Sequence, residues 1–476
     1  MAEIRFGTDG WRAVIAEDYT FENVRAVAQA TAGWLLRTGQ ARSGAVVGYD
    51  TRFLSDAFAN AAAEVLAANG IAVALASRAA PTPALSHAVL DRKAAAGVVI
   101  TASHNPGRWN GFKVKQAAGN SAPPEVTSEI EQAVPAILDG AGARGVANVD
   151  ADARSRIERF DPNPPYLASL REFVDLERIR EAGLRVAVDS MYGAAGGLTA
   201  AAIGEGATSV HELHGERNPA FPGMRAPEPI APNLGALMRL LEGGGHDVGL
   251  ATDGDGDRFG LVDEQGRFLN QLQVFALLVR YLLEVRSERG AIVRSITTTR
   301  MVDLLGERHD CPVFETPVGF KHLGPRMIDE DAIVAGEESG GYAFRGHIPE
   351  RDGVLSGLLL LDYMVQTGKP ASQLLAELYD ELGPHEYDRV DVTLREEERD
   401  AIAEQAAAAT PSEIAGLRVV SRDTLDGYRF TLEGGWWLLM RFSGTEPLLR
   451  IYAELPSADQ VRRAIEQGQA LAGVTL

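Results

Sequence analysis

The chain has 476 residues, of which 45% are hydrophobic and 24% charged, the composition of an ordinary folded protein. This length exceeds what a single hydrophobic core organises and predicts three or four domains. The formal net charge is −20, from 46 basic and 66 acidic residues. It argues against nucleic acid or an anionic membrane as a partner, because both require a basic surface. An anionic small-molecule substrate would need a few well-placed cations.

Three further features of the sequence predict a cytoplasmic protein. The single cysteine, Cys311, cannot form an internal disulfide. The first residues lack the apolar core of a signal peptide. The most apolar stretch, 275–285, contains Arg280 and is too short to span a bilayer. The sequence is compatible with a monomer or a homodimer.

Taken in chain order, three stretches repeat one strand–helix plan. Buried strands are predicted at 45–50, 184–189 and 291–293, each followed by helical sequence. A second apolar strand in each repeat ends in a polar loop, and these strands cover 97–100, 247–250 and 332–335. Continuous apolar runs that alternate with helices are typical of parallel sheets covered on both faces. Ligands of such folds collect beyond the carboxyl ends of the strands, so the loops predict one cleft fed by three α/β domains.

The last segment has a different pattern. Strands at 428–432 and 436–440, separated by a Gly-Gly turn, predict a hairpin. A strand at 448–453 and an amphipathic helix from Ala458 follow. The predicted fold is therefore α/β, with three doubly covered domains whose mixed sheets are mainly parallel, and a smaller C-terminal α+β domain. The predicted domains are residues 1–145, 160–263, 264–382 and 385–476.

An acidic loop follows the second predicted strand of the second repeat. Asp253, Asp255 and Asp257 alternate there with glycines. Three carboxylates at every second position can converge on one hard cation, and the glycines permit a sharp turn. An EF-hand is a poor alternative, because its sixth position is Arg258 instead of Gly and its flanks are predicted strands. A solvated acidic turn would not explain three aligned Asp residues that end on an Arg.

Ser103 and His104 lie in the polar loop TASHNP of the first repeat. Ser-His neighbours are common, and the loop lacks the G-x-S-x-G pattern of hydrolases, so this motif is weak alone. A phosphoserine carries nearly two negative charges and would complete a metal site of three Asp residues. Lys113 lies close by in sequence and could donate or accept a proton, although most lysines are simply solvated.

Two other loops offer polar groups of a kind that binds anions or sugars. The segment 6–12 has two glycines and Arg12, and by itself is only a turn. The segment 336–341, GEESGG, offers Glu337 and Ser339 to sugar hydroxyls, with a helix N-cap as the alternative.

The segment RFSGTEP at 441–447 predicts a phosphate site. An Arg, two hydroxyls and a turn permitted by Gly form a compact nest, in which backbone N–H groups and a guanidinium can grip a phosphate. As a turn alone it would be unremarkable. It becomes informative because a strongly acidic chain places both Arg441 and Arg450 around it.

With these five loops in family order, the chain resembles the α-D-phosphohexomutases, the superfamily of phosphoglucomutase, phosphomannomutase and phosphoglucosamine mutase. The resemblance covers residues 6–454, nearly the whole chain. It implies four domains around a central cleft, one Mg²⁺ per chain and a phosphosugar substrate. It also implies a phosphoserine enzyme that moves a phosphate between the C1 and C6 hydroxyls through glucose 1,6-bisphosphate.

The resemblance assigns each motif residue a role. Those that hold Mg²⁺ would be phosphorylated Ser103 with Asp253, Asp255 and Asp257. Those that surround the transferring phosphoryl group would be Arg12, His104 and Lys113, with Lys113 as general acid/base. Those that bind the substrate would be Arg258, Glu337, Ser339 and Arg351. Those that hold the non-reacting phosphate would be Arg441, Ser443, Gly444, Thr445 and Arg450.

Three positions bear on the sugar. Gly341 replaces a His of the dual-specificity and glucosamine branches, Arg351 matches the phosphoglucomutase branch, and Val318 replaces a Thr of related glucose enzymes. We therefore expect glucose 1-phosphate first, mannose 1-phosphate second and glucosamine phosphate last, because Arg351 would repel its ammonium group. A phosphomannomutase or dual-specificity enzyme is the nearest alternative, and a phosphoglucosamine mutase a more distant one. A phosphoserine hydrolase would need no second phosphate clamp, and a calcium- or sugar-binding protein would not explain Ser103 beside Lys113.

Overall fold

The computed structural model describes residues 4–141, 150–443 and 448–474. In these ranges the chain forms four sheets that follow one another along the sequence, each with its own helices. The first three sheets contain parallel strands and the fourth is antiparallel, so the predicted fold class is confirmed.

Domain I contains a six-stranded sheet in the order β1-β5-β4-β2-β3-β6, in which β5 alone runs in the opposite direction. Its strands are β1 (Trp11–Val14), β2 (Ala45–Tyr49), β3 (Val73–Ala76), β4 (Ala96–Ile100), β5 (Trp109–Gln116) and β6 (Ile157–Phe160). Its helices are α1 (Phe21–Arg37), α2 (Ser55–Ala68), α3 (Thr82–Asp91), α4 (Pro124–Ala136) and α5 (Ala151–Ser155). Because β6 pairs with β3, this sheet extends beyond the predicted domain limit at residue 145.

Domain II has a five-stranded sheet in the order β11-β10-β9-β7-β8. Its strands are β7 (Arg185–Asp189), β8 (Ser209–Leu213), β9 (Val248–Thr252), β10 (Phe259–Val262) and β11 (Phe268–Leu269). Its helices are α6 (Asn163–Phe173), α7 (Leu176–Glu181), α8 (Leu198–Ile203) and α9 (Gly235–Glu242). The short strand β11 pairs with β10 and lies beyond the predicted limit at residue 263.

Domain III has a four-stranded sheet in the order β13-β12-β14-β15. Its strands are β12 (Ile292–Ser295), β13 (Val313–Thr316), β14 (Val334–Gly336) and β15 (Tyr342–Phe344). Its helices are α10 (Gln271–Arg280), α11 (Met301–Arg308), α12 (Phe320–Asp329), α13 (Gly353–Thr367) and α14 (Ala371–Leu382).

The three α/β domains share one strand plan, as the repeated sequence pattern predicts. A central strand, β2, β7 or β12, lies between two parallel neighbours. The neighbours β4, β9 and β14 each lead through a polar loop into an antiparallel strand. Strands such as β2 and β9 are buried along their whole length, which is why their sequences are continuously apolar. The three predicted loops therefore occupy equivalent positions in their sheets.

Domain IV is a six-stranded antiparallel sheet in the order β16-β21-β20-β19-β18-β17. Its strands are β16 (Glu386–Thr393), β17 (Glu413–Ile414), β18 (Leu417–Asp423), β19 (Tyr428–Leu432), β20 (Trp437–Phe442) and β21 (Leu448–Leu455). Its helices are α15 (Arg399–Ala408) and α16 (Ala458–Ala472). The predicted hairpin is confirmed as β19 and β20, and the predicted final strand and helix as β21 and α16.

The hydrophobic core is divided unequally among the domains. One continuous apolar cluster contains residues of domains I, II and III, whereas domain IV has a separate core of its own. A small apolar cluster joins domains III and IV, and it consists of Ile296, Trp437, Leu439 and Tyr452. Among the described residues, no helix combines the length and the apolarity needed to cross a bilayer.

Glu454 on β21 connects domain IV to domain III. Its carboxylate accepts hydrogen bonds from the backbone N–H of Arg300 at 2.9 Å, from Trp437 Nε1 at 2.9 Å and from the Thr299 hydroxyl. His385 Nδ1 lies 3.3 Å away. The side chain is 1% exposed. A buried carboxylate that satisfies several donors is costly to remove, because each donor would be left without a partner.

We therefore expect Glu454→Ala to destabilise the junction between domains III and IV. Each buried donor left unpaired costs roughly 1–3 kcal/mol, so the melting temperature of domain IV should fall. Glu454→Gln retains a carbonyl acceptor and should lose less. Thermal unfolding of the two variants beside the wild type tests this, and equal melting temperatures for all three would contradict it.

Candidate active site

Ser103 lies where the polar loops of domains I and II meet. Its hydroxyl donates a hydrogen bond to Asp253 Oδ2 at 2.7 Å, and both residues are buried. Its backbone N–H donates to Thr101 Oγ1 at 2.8 Å, which fixes the turn after β4. Its φ of +51° is strained for a residue with a Cβ, and such strain is frequent at functional sites. The structure thus brings the predicted serine to the predicted acidic loop.

The close approach of these two loops depends on a glycine. A Cβ at Gly254 would lie 2.5 Å from the carbonyl oxygen of Ser103, closer than real Cβ contacts allow. The loop is further fixed by Asp253 Oδ1, which accepts hydrogen bonds from the backbone N–H groups of Asp257 and Arg258 at 3.0 and 3.1 Å. The glycines between the Asp residues are therefore required for contact between domains as well as for the turn.

The three Asp side chains form a buried acidic cluster. One ligand oxygen from each of Asp253, Asp255 and Asp257 lies within 4.8 Å of the others. Burial, and then the negative charges of Asp255 and Asp257, raise the pKa of Asp253 well above its ordinary value. Within the described part of the chain, the buried Oδ1 atoms of Asp255 and Asp257 have no hydrogen-bond partner. Converging, unsatisfied carboxylate oxygens of this kind fit a hard divalent cation such as Mg²⁺.

Lys113 on β5 is held among carboxylates from two domains. Its Nζ lies 2.6 Å from Asp9, 2.8 Å from Asp255 and 3.1 Å from Asp257. Burial by itself would lower the pKa of Lys113, but the attraction of these three carboxylates outweighs it and raises the pKa. Lys113 is therefore an ammonium group in this arrangement, the form that can donate a proton.

Several cations surround His104, in a chain that is acidic overall. Its Nδ1 lies 3.5 Å from Ser103 Oγ. Burial, and then the charges of Arg258, Arg12 and Arg450, hold the pKa of His104 well below its ordinary value, so its ring is neutral. The predicted cationic residues thus converge on the region around Ser103, where a phosphate would need them.

Two of these arginines also have local partners. Arg12 donates to the side chain of Asn105 at 2.6 Å, and Arg258 forms an ion pair with Glu228 at 3.0 Å. These contacts orient both guanidinium groups beside the Ser103 loop.

Arg52 supports the Ser103 loop and is absent from the sequence-based assignment. Its guanidinium is fully buried and donates to the carbonyl oxygens of Ser103, Asn105, Pro106 and Trp109 at 2.5–3.1 Å. Its Nε lies 3.1 Å from Asp50. The position of Arg52 in the sequence could have indicated its role. Arg52 follows the central strand β2 closely and therefore lies at the edge of the sheet where ligands bind.

Arg351 joins the predicted sugar-binding loop of domain III, residues 336–341 (the sugar loop), to the acidic loop. Its Nη2 lies 2.5 Å from Asp9 and 2.7 Å from Asp257, and its Nη1 lies 3.5 Å from Glu337. Glu337 in turn accepts a hydrogen bond from the Ser339 hydroxyl at 3.1 Å. The structure therefore brings the predicted sugar-binding residues to the predicted metal ligands.

The same loop also contacts domain IV. Glu338 accepts hydrogen bonds from the Tyr387 hydroxyl at 2.8 Å and from Arg389 at 3.1 Å, both on β16. The sugar loop thus lies between the acidic cluster and the domain that carries the predicted phosphate site.

The predicted phosphate loop lies between β20 and β21, and only part of it can be described. Gly444 and Thr445 lie outside the described residues. Arg441 Nε lies 2.9 Å from Asp426 Oδ2, and Arg450 Nε lies 3.6 Å from Asp391. The backbone N–H of Ser443 donates to the carbonyl oxygen of Leu448 at 2.9 Å, which closes the base of the loop.

Each of the four domains matches a model of a known protein family. Four family models match, described as phosphoglucomutase/phosphomannomutase alpha/beta/alpha domains I, II and III and the C-terminal domain, over residues 3–140, 164–266, 270–382 and 392–467. A phosphoglucomutase/phosphomannomutase of Thermococcus kodakarensis is 31% identical and covers 97% of both chains. A probable phosphoglucosamine mutase of Methanothermobacter thermautotrophicus is 32% identical and covers 96% of this chain and 95% of its own.

A solved structure agrees with these relatives. The Thermus thermophilus protein assigned as a phosphomannomutase is 36% identical, covers 99% of both chains and superposes with a TM-score of 0.86. The chain belongs to the phosphoglucomutase/phosphomannomutase family of α-D-phosphohexomutases, and it is an enzyme of this phosphate-transferring class.

Proposed function

We propose that the chain interconverts glucose 1-phosphate and glucose 6-phosphate through phosphorylated Ser103 and a glucose 1,6-bisphosphate intermediate. The observation that carries this proposal is the contact of 2.7 Å between Ser103 Oγ and Asp253, at the edge of a buried cluster that also holds Lys113. A serine in this place has an acidic cation site and a proton donor within one cluster. Those are the groups that phosphoryl transfer requires.

In the first half-reaction the bond between Ser103 Oγ and phosphorus breaks, and a bond forms between phosphorus and the free sugar hydroxyl. The net proton movement is from that hydroxyl to the serine oxygen. Lys113 supports this step because it is an ammonium group and can protonate the departing oxygen. Arg12 and Arg258 would balance negative charge on the phosphoryl oxygens.

The acidic cluster would hold one Mg²⁺. The residues that would bind it are Asp253, Asp255, Asp257 and phosphorylated Ser103. When bound, the ion supplies positive charge that offsets the charge of the transferring group. The unsatisfied Oδ1 atoms of Asp255 and Asp257 support this assignment.

The second half-reaction returns the other phosphate of the bisphosphate to Ser103, so the intermediate must turn over inside the cleft. The phosphate loop must then hold either phosphate. Arg441 and Arg450, together with Ser443, Gly444 and Thr445, would form a clamp that recognises the phosphate rather than one face of the sugar. Such a clamp also distinguishes a mutase from a hydrolase, which would release the phosphate to water.

The preference for glucose rests on the contact between Gly341 and Arg351. A Cβ at residue 341 would lie 2.1 Å from Arg351 Cδ and 2.5 Å from Cγ. The Arg351 side chain can therefore occupy its place only because residue 341 is a glycine. Glu337 and Ser339 would bind hydroxyls that glucose and mannose share. The Arg351 side chain would then have to distinguish glucose from mannose at C2, where one hydroxyl is usually worth about 1–3 kcal/mol of binding free energy.

Repulsion of the glucosamine ammonium group by Arg351, expected from the sequence, is weak in this structure. The guanidinium lies 2.5–3.5 Å from carboxylates of Asp9, Asp257, Glu337 and Glu350, which offset its charge. A phosphoglucosamine mutase is therefore the alternative that needs a direct test, and one of the relatives carries that designation.

Ser103→Ala should abolish turnover of glucose 1-phosphate, because the phosphate would have no acceptor on the enzyme. Intact mass after incubation with glucose 1,6-bisphosphate should show one added phosphate on the wild type and none on the variant. Ser128→Ala, on an exposed part of α4, is the matched control and should behave as wild type. Full activity of Ser103→Ala would refute the proposal, and release of free phosphate in place of glucose 6-phosphate would indicate a hydrolase.

Asp255→Asn should weaken Mg²⁺ binding by more than roughly tenfold, since even groups that only support a metal ligand often contribute that much. Calorimetric titration with Mg²⁺ measures binding independently of activity, and turnover should fall in parallel. Asp247→Asn removes the same charge elsewhere in domain II, where Asp247 pairs with Arg185, and should change neither quantity. Undiminished turnover after complete chelation would contradict the metal assignment.

Gly341→Ala should displace Arg351 from Asp9 and Asp257 and so reduce the preference for glucose. We expect kcat/KM for glucose 1-phosphate to fall by about tenfold relative to mannose 1-phosphate, within the range of a single pocket contact. Gly33→Ala is the control, because a Cβ added there would meet no atom within 4 Å beyond its chain neighbours and the backbone of its own helix, α1. The wild type should be assayed with the glucose, mannose and glucosamine phosphates under one set of conditions. A lead for glucosamine phosphate would overturn the glucose proposal.

A further inference from the structure

Asp426 lies in the loop between β18 and β19, directly before Gly427. Gly427 has a φ of +114°, and a Cβ there would lie 2.5 Å from the carbonyl oxygen of Met440 and 3.1 Å from the Cα of Arg441. Glycine therefore allows the loop to lie against β20, the strand that carries Arg441. This close approach brings Asp426 alongside the Arg441 side chain.

One oxygen of Asp426 makes contacts in two domains. Oδ2 lies 2.9 Å from Arg441 Nε in domain IV, and it accepts a hydrogen bond of 2.9 Å from the backbone N–H of Val318 in domain III. The side chains of Arg441 and Asp426 are 10% and 22% exposed, so solvent screens this ion pair less than a surface pair. The contact uses Nε, so the terminal amino groups that grip a phosphate in a bidentate contact are not part of it.

The segment that provides the Val318 N–H is itself fixed by two other domains. The Val318 side chain packs against the apolar cluster that contains Trp437 and Leu439 of domain IV. The next residue, Gly319, lies against domain I, since a Cβ there would be 2.8 Å from Thr8 Cγ2. Through Asp426, the orientation of Arg441 is thus tied to the walls of the cleft. A backbone N–H makes this contact, so the presence of Val at 318 in place of Thr does not affect it.

A second cation faces the same junction. Lys321, in the first turn of α12, has its Nζ 3.4 Å from the carbonyl oxygen of Gly7. Burial, and then the positive charge of Arg441, lower the pKa of Lys321, and Asp426 opposes this effect. Two cations from different domains within electrostatic range of each other favour an anion at this place.

We propose that Asp426 is a positioning residue that orients Arg441 toward the non-reacting phosphate when domain IV is docked on the Val318 segment. The phosphate site is then shared between domains III and IV, and it is complete only while Asp426 contacts the Val318 N–H. This inference rests on the proposed role of the Arg441 loop. Loss of the Asp426 charge should weaken phosphate binding and leave the chemical step at Ser103 intact.

The test is the affinity for glucose 6-phosphate, measured by calorimetry, together with KM and kcat for glucose 1-phosphate. Asp426→Asn should raise Kd and KM by about tenfold, the scale of one misdirected charge-assisted contact. It should leave kcat within about twofold, since Asp426 does not touch the reacting atoms. Asp459→Asn removes the same charge from the exposed surface of domain IV, where Asp459 pairs with Arg463 at 3.1 Å, and should leave all three constants unchanged.

A double-mutant cycle shows whether Asp426 acts through Arg441. In an Arg441→Ala background, Asp426→Asn should have no further effect on Kd, because the group it positions is gone. Three outcomes would each overturn the inference. They are additive effects of the two substitutions on Kd, an unchanged Kd in the single Asp426→Asn variant, and tighter binding by that variant, which would make Asp426 a competitor of phosphate. A wild type that binds glucose 6-phosphate but converts no sugar phosphate would refute the proposed function instead, and the Kd values would still decide the role of Asp426.

Discussion

Several buried charges in the cleft are stabilised by opposite charges that other domains contribute. Lys113 of domain I meets Asp255 and Asp257 of domain II, and Arg351 of domain III meets Asp9 of domain I and Asp257. A buried ion that loses its partner is strongly destabilised, commonly by about 3–5 kcal/mol. Each domain alone would therefore leave a charge either exposed to solvent or buried without its partner. The three α/β domains must assemble for the cleft to exist.

The compensation is incomplete at the acidic cluster, where buried oxygens of Asp255 and Asp257 have no hydrogen-bond partner among the described residues. Burial, and then the negative charges of Asp255 and Asp257, raise the pKa of Asp253, so negative charge on this carboxylate is disfavoured. A phosphate on Ser103 would add nearly two further negative charges beside Asp253. A divalent cation and a phosphorylated serine would thus stabilise each other in this site, since a buried phosphate without a cation leaves its charge uncompensated. The same reasoning explains why buried oxygens of Asp255 and Asp257 can lie without a hydrogen-bond donor in the described structure.

What could be predicted from the sequence was local. The acidic loop, the hairpin β19–β20 and the strand-end position of Ser103 are each encoded within a few consecutive residues, so composition and periodicity predict them. The contacts that complete the site connect distant positions. Asp9 and Arg351 are 342 residues apart, and Asp426 and Val318 are 108 apart. Arg351 was predicted as a cation for the substrate, yet two of the carboxylates that neutralise it, Asp9 and Asp257, come from other domains, and no local pattern reveals them.

The unequal division of the core suggests how a bisphosphate could turn over without escaping. Domains I to III share one apolar cluster, whose separation would expose a large hydrophobic surface. Domain IV has its own core and joins domain III through a small apolar cluster and through polar contacts, including Glu338 with Arg389 and Glu315 with Arg429. Polar contacts can be exchanged for water at much smaller net cost than apolar ones. If the wall of the cleft opens, this difference in cost predicts that domain IV separates, while Ser103 and the acidic cluster stay in place.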